Sequence, residues 1–306
     1  MPDKIKIAIL GLDTSHVEAF AKLLHNPDDP YHVPGGRIVA AFPGGSPDFA
    51  LSRDRVDGFT AKLRDQFGVT IFDSPEKAAE GADAILLESV DGRIHRAQFE
   101  SIAHLGKPVF IDKPFAVSSA DAAAIAGLAR EARVPLMSCS SLRFAEGLQV
   151  ALADQSNGDL IGADFFGPMA IEPTQPGFFW YGIHAAEMLL ATLGGGVASI
   201  QVASNADHDF LTAVWNDGRI GTIRGNRKGN GRFGGVIHRE KASSFIDVYA
   251  HPKPYYASLL EVILPFFQTG VSPVPIEETL EIVGLLESAN RLREKAPHRS
   301  QGKIST

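Results

Sequence analysis

The chain has 306 residues, of which 44% are hydrophobic and 21% charged, an ordinary globular composition that argues against disorder and implies about two domains. Basic residues number 29 against 36 acidic ones, a net charge of −7. Nucleic-acid backbones and anionic membrane surfaces are both held by basic protein surface, so neither is expected as a partner.

Taken in chain order, Ile5–Leu10 is an apolar run ending at Gly11, as a buried parallel strand would be. It is too brief for a signal peptide. No later run reaches the ~18 apolar residues of a membrane span, and a cytoplasmic location is the expectation. His16–Leu24 has helical spacing, and Ser15 with Glu18 matches a capping box. Arg37–Phe42 reads as a second strand closed by Pro43-Gly44-Gly45, and Arg55–Phe67 as a helix stopped by Gly68. Val69–Phe72, Ala84–Glu88, Pro108–Ile111 and Leu136–Cys139 read as further strands. Between them lie helices opening at Asp73-Ser74-Pro75-Glu76 and spanning Ile94–Leu105 and Ser119–Arg133. The single cysteine, Cys139, excludes an internal disulfide and a Cys-rich zinc site, and reads as a small buried hydrophobe.

Strand–helix alternation implies a Rossmann-like, doubly wound parallel sheet over residues 1–142. From 143 to 306 the pattern changes. Ala163–Phe166, Ala198–Ser204, Leu211–Trp215, Ile220–Arg224, Val236–Arg239 and Ser244–Tyr249 read as strands, with a hairpin turn at Asn216-Asp217-Gly218. Helices are expected at Ala145–Leu152, Tyr181–Leu193, Tyr255–Thr269 and Glu277–Lys295. This half is expected to be an α+β domain with a large, mostly antiparallel open sheet, so the chain as a whole is α/β plus α+β.

Ligands of doubly wound sheets bind beyond the carboxyl ends of the strands. Gly11-Leu12-Asp13-Thr14-Ser15-His16 sits where a G-x-G-x-x-G turn would hold pyrophosphate, with Asp13 and His16 in place of the second and third glycines. It reads equally as a capped helix start. At the end of the second strand Ser46 or Arg53 would suit a phosphorylated ribose, and Asp48 an unphosphorylated one. Lys113, in Asp112-Lys113-Pro114, would stand at the sheet rim, able to stabilise a developing alkoxide, with Asp112 as partner; the alternative is a surface loop lysine. His184 with Glu187 three residues on could act as acid/base, or be a core histidine. Phe178-Phe179-Trp180-Tyr181 could floor a sugar pocket or simply pack. Asp207-His208-Asp209 reads as a turn, and the glycine-rich Gly225–Gly235 as a mobile hairpin loop. His16, His95, His184, His208 and Glu187 show no metal-ligand spacing, so no metal is expected.

Together these segments resemble the glucose–fructose oxidoreductase / inositol dehydrogenase (Gfo/Idh/MocA) family. The resemblance runs through Gly11, Asp83–Leu87, His95, Gly106-Lys107-Pro108 to Asp112-Lys113-Pro114-Phe115, Arg143, Gly182-Ile183-His184 with Glu187, and Pro273-Val274-Pro275. It implies an NAD- or NADP-dependent oxidoreductase acting on a sugar, polyol or related hydroxy compound. Lys113 would then polarise the substrate oxygen and His184 serve as acid/base. Gly11, Asp13, Thr14, Ser15, His16, Ser46, His95, Asp112, Lys113 and Pro114 would line the cofactor, and Arg143, Trp180, Tyr181, His184 and Glu187 the substrate. It also implies a homodimer or homotetramer through the C-terminal sheet. Three departures stand out: the degraded glycine turn, the missing acid at the end of strand two, and Trp180 where the family often has an aspartate. A redox-neutral, NAD-assisted lyase, glycosidase or epimerase and a non-catalytic sugar-binding or regulatory protein are the alternatives.

Overall fold

The computed structural model describes residues 4–295. The first half begins with β1 (Ile5–Leu10), α1 (His16–His25), β2 (Gly36–Phe42), α2 (Ala50–Arg53), α3 (Val56–Phe67), β3 (Thr70–Ile71) and α4 (Pro75–Glu80). β4 (Ala84–Leu87), α5 (His95–Ile102), β5 (Val109–Ile111), α6 (Ser119–Glu131) and β6 (Leu136–Ser138) complete it. All six strands are parallel, in the order β3-β2-β1-β4-β5-β6. The winding reverses between β1 and β4, which makes the carboxyl ends of those strands the topological switch point. Every residue of β4 and β5 is buried, as a sheet covered on both faces requires.

The second half contains α7 (Glu146–Ala153), β7 (Leu160–Pro168), α8 (Gly182–Leu193), β8 (Val197–Ser204), β9 (His208–Trp215), β10 (Ile220–Asn226), β11 (Gly234–Arg239) and β12 (Ser243–Asp247), then α9 (Tyr255–Thr269) and α10 (Ile276–Lys295). The six strands form one sheet in the order β12-β11-β7-β10-β9-β8. Only β7 and β10 pair in parallel; the other neighbours are antiparallel. The expected mostly antiparallel sheet is therefore present.

α8 packs against β7 and β10. It is buried almost all round, from Gly182 to Leu193. Gly221 explains the close approach: a Cβ there would lie 2.7 Å from Leu189 and 3.1 Å from Leu193.

The compact units do not follow the linear division at residue 142. Among the described residues, one comprises 4–146 together with His251–Val283; the other comprises Gly147–Ala250 and 284–295. The reason is apolar burial. Ala257, Leu259, Leu260, Ile263, Leu264, Phe266 and Phe267 on α9 join the core built by Ile7, Ile9, Val17, Phe20 and Leu24, and α9 lies against α1.

Several sequence boundaries shift. The capping box is absent: Ser15 is helical and makes no side-chain cap, and Glu18 instead pairs with Lys62 at 2.6 Å. His208 and Asp209 belong to β9 rather than to a turn. Asp209 is fully buried and is held by Arg227, by Arg293 at 3.1 Å and by Ser204 at 2.5 Å. Those contacts also anchor the glycine-rich segment. Its Arg232 pairs with Asp247 at 2.9 Å, and its Phe233 is buried.

Candidate functional site

In the first unit the expected residues gather at the carboxyl rim of the parallel sheet. Gly11 follows β1 with φ +89°. A Cβ on it would fall 2.2 Å from the Ser89 hydroxyl, so the turn after β1 and the segment after β4 touch backbone to side chain. Asp13 is fully buried. Its carboxylate accepts the Val90 N–H at 2.9 Å and the Ser52 hydroxyl at 2.6 Å. Burial pushes its pKa up, against these two hydrogen bonds. Thr14 is buried and its hydroxyl accepts the His16 N–H at 3.5 Å, while Ser15 is exposed.

His16 turns inward. Its Nδ1 lies 2.8 Å from Asp112 Oδ2, without hydrogen-bond alignment, and 3.7 Å from Glu88 Oε2. Burial pulls the imidazole pKa down, but the Asp112 carboxylate more than offsets that and holds it up at about 9. Burial and then the Asp112 charge raise Glu88 to about 7. For Asp112 burial acts upward, yet the His16 charge keeps it below the usual carboxylate range. Lys113 is buried at 7% exposure and enters a cis peptide bond with Pro114. Its charge acts on His16, Glu88 and Asp112 alike.

Sequence reasoning missed Glu88, Ser52 and Tyr256. Glu88 occupies the carboxyl end of β4, beside those of β1 and β5, and that position was its one available signal. Tyr256, on α9, places its ring 4.8 Å from that of His16. The spacing of histidines and acids along the chain pointed to no metal. Folding nevertheless brings His16, Glu88 and Asp112, all buried, to where one ligand atom of each lies within 4.8 Å of the others.

Other expected residues take structural places. His95 is fully buried, with Nε2 2.7 Å from the Ser89 carbonyl and Nδ1 3.3 Å from that of Phe115, which braces the segments after β4 and β5. Arg143 belongs to the first unit and pairs with Glu278. Asp48 is taken up by Arg93, which also grips buried Asp91, and Arg53 pairs with Asp54. Ser46 is buried and its hydroxyl has no hydrogen-bond partner. A basic groove of about 740 Å³, lined by Lys4, Lys6 and Arg37, lies at the amino ends of β1 and β2 and contains none of the expected site residues.

In the second unit His184 is buried at 8% exposure. Its ring lies 5.7 Å from that of Tyr181 and 5.1 Å from that of Phe233, both edge-on. Tyr181 and Phe233 stack at 6.4 Å with 7° between their planes, and Trp180 meets Tyr181 edge-on at 5.3 Å. Glu187 is buried on the same helix. Phe233 was not foreseen; it comes from the glycine-rich segment and rests against β7 at Gly167, where a Cβ would lie 2.3 Å from its ring.

Residues 45–139 match the family model described as an oxidoreductase family with an NAD-binding Rossmann fold, GFO_IDH_MocA. Over that stretch the chain is similar to the Gfo/Idh/MocA family. No curated protein sequence matches the chain. Among solved structures, scyllo-inositol dehydrogenase from Lactobacillus casei is similar at TM-score 0.77 and 15% identity, covering 96% of this chain and 97% of that one. A putative myo-inositol dehydrogenase from Sinorhizobium meliloti is similar at 0.76 and 17%, covering 96% and 98%. An oxidoreductase from Agrobacterium radiobacter, in complex with NAD+, L-tartaric acid and magnesium, is similar at 0.72 and 18%, again covering 96% and 98%. At these identities the likeness is one of fold.

The family implies a nicotinamide dinucleotide. The residues present fit it at two places. The unpartnered Ser46 hydroxyl after β2 is available to a ribose or phosphate oxygen, and Asp112-Lys113 provides a charged rim after β5. At the Gly11–His16 turn the donor set differs from the family pattern. Asp13 brings a buried carboxylate already engaged by the Val90 N–H and the Ser52 hydroxyl.

Proposed function

We propose that the protein is an NAD(P)-dependent oxidoreductase acting on a sugar, polyol or related hydroxy compound. The observation that carries this reading is the buried Lys113 ammonium at the carboxyl end of β5, in a sheet whose matched family binds NAD. The nicotinamide, when bound, takes up or returns the hydride. Lys113 donates to the substrate oxygen and stabilises the alkoxide character that develops there. A charge held out of bulk water acts more strongly than an exposed one.

His184 takes the hydroxyl proton. General acid–base catalysis of this sort contributes roughly 10²–10⁴-fold. Its walls of Tyr181, Phe233 and Trp180 offer apolar faces of the kind that pack on the C–H faces of a sugar ring. Cofactor contacts are assigned to Gly11, Thr14, Ser46, Asp112, Lys113 and Pro114, and substrate contacts to Trp180, Tyr181, His184 and Glu187. The protein is further assigned a homodimeric or homotetrameric state through the sheet of the second unit.

The reading is tested by assaying the purified protein on a panel of inositols, sugars and sugar acids with NAD+ and NADP+. Turnover of at least one substrate, lost in Lys113→Met and in His184→Asn with folding retained, is the expected result. Equal turnover by wild type and both variants would overturn the assigned roles.

A further inference from the structure

We propose that His16, Glu88 and Asp112 form a binding site for one divalent first-row metal ion, of the Zn2+ or Mn2+ class. The site lies wholly within the parallel-sheet unit. Its three residues come from the segments that follow β1, β4 and β5, neighbours in the sheet, so the strand order alone sets their carboxyl ends side by side. The His16 Nδ1 lies 2.8 Å from Asp112 Oδ2 and 3.7 Å from Glu88 Oε2, and a ligand atom of each residue lies within 4.8 Å of the other two. Ligand atoms around one small cation are spaced on that scale.

The second observation is the state of Glu88. Its side chain is fully buried, and neither carboxylate oxygen has a hydrogen-bond partner. Buried carboxylates are held by hydrogen bonds, ion pairs or metals, because an unsatisfied one is costly. His16 stands 3.7 Å from it and is itself closer to Asp112. The 2.8 Å His16–Asp112 contact is also out of hydrogen-bond alignment. His16 Nδ1, Asp112 Oδ2 and both Glu88 oxygens, all buried, therefore converge without hydrogen-bond partners, as ligand atoms of one cation would.

The donor set selects the ion. One imidazole nitrogen with two carboxylate oxygens suits Zn2+ or Mn2+, and three protein ligands leave a coordination position open to water or a substrate oxygen. Mg2+ prefers oxygen donors and keeps several waters, and so is the poorer match to a buried site with an imidazole ligand. The Lys113 charge acts on all three groups and weakens the site without abolishing it, since two carboxylates oppose it.

This site goes beyond the dinucleotide reading and is tested without any nucleotide. Full-length protein is stripped with chelator, and Zn2+, Mn2+ and Mg2+ are titrated in separately by calorimetry, with metal content measured after reloading. One equivalent of Zn2+ or Mn2+ per chain is expected, with Mg2+ much weaker. Folded Glu88→Gln should lose affinity by at least about tenfold, the low end of what even an outer-sphere partner contributes. His16→Gln should do the same, and Mn2+ should broaden the His16 ring resonances. No uptake at millimolar Zn2+ or Mn2+, or uptake unchanged in both folded variants, overturns the site. A parallel NADH titration of the stripped protein keeps the two readings apart: nucleotide binding without metal uptake overturns the metal site alone, and metal uptake without nucleotide binding supports it.

Discussion

The imidazole of His16 and the carboxylate of Asp112 stand 2.8 Å apart with both side chains buried, so the residue replacing the last glycine of the dinucleotide turn is tied to the residue preceding the rim lysine. Breaking a buried ion pair from one side leaves the other charge uncompensated, at a cost of about 3–5 kcal/mol. Glu88, 3.7 Å away, softens that loss. In metal-stripped protein Asp112→Asn is expected to destabilise by about 3 kcal/mol in urea melts. Glu88→Gln, which removes a carboxylate without a hydrogen-bond partner, should cost little or stabilise. Equal losses from the two would show that Asp112 is not the counter-charge.

His25 makes a pH-dependent contribution. Its Nε2 accepts the Ile38 N–H at 3.0 Å, a bond that only the unprotonated nitrogen can make. Burial, then the Arg37 and Lys4 charges, lower its pKa from 6.5 to about 4. The folded state thus resists protonation that the unfolded state accepts. The stability is fully present above pH 6.5, declines as the pH falls below it, and is exhausted near pH 4. Replacing His25 with Gln should flatten the wild-type loss of stability between those pH values. Parallel curves for the two proteins would contradict the assignment.

Gly167 and Phe233 fit only together. Gly167→Ala would set a methyl group 2.3 Å from the Phe233 ring, and that ring contacts His184. Overpacking of this kind costs about 1–3 kcal/mol. Thermal melts should show the loss, and the turnover assigned to His184 should fall with it. Unchanged melting would mean that the glycine-rich segment yields freely.

The outward row of the second sheet presents Phe210, Ile220 and Phe245, of which Phe245 is 68% exposed. It also carries a polar band in which Asp164 meets Thr222 at 2.5 Å and His238 at 2.8 Å. If this is the assigned homo-oligomer face, Phe245→Glu with Ile220→Glu should convert the oligomer to monomer in sedimentation velocity. A wild-type monomer at tens of micromolar would remove the assignment.

Much of this was legible in the sequence. Apolar runs at β1, β4 and β5 and the turn residues after them located the rim, because buried parallel strands carry a strong, local pattern. The pairing partners were not legible. Glu88, Asp112 and His16 meet only because the strand order places β4 between β1 and β5. The contacts of His95, whose ring lies between two carbonyls, were not legible either. Arg143 and α9 were assigned to the second domain because linear reading cannot see a chain return to its first core. Ser15-x-x-Glu18 matched a cap by composition, yet Ser15 is helical in the fold.

The central claim, a nicotinamide-dependent enzyme, is most directly tested by titrating the purified protein with NADH and NADPH and following nicotinamide fluorescence. The account predicts saturable binding of one of the two, weakened in Lys113→Met and in a Ser46→Val variant. Failure of both nucleotides to bind at millimolar concentration, in metal-stripped and in Zn2+- or Mn2+-loaded protein alike, would contradict it.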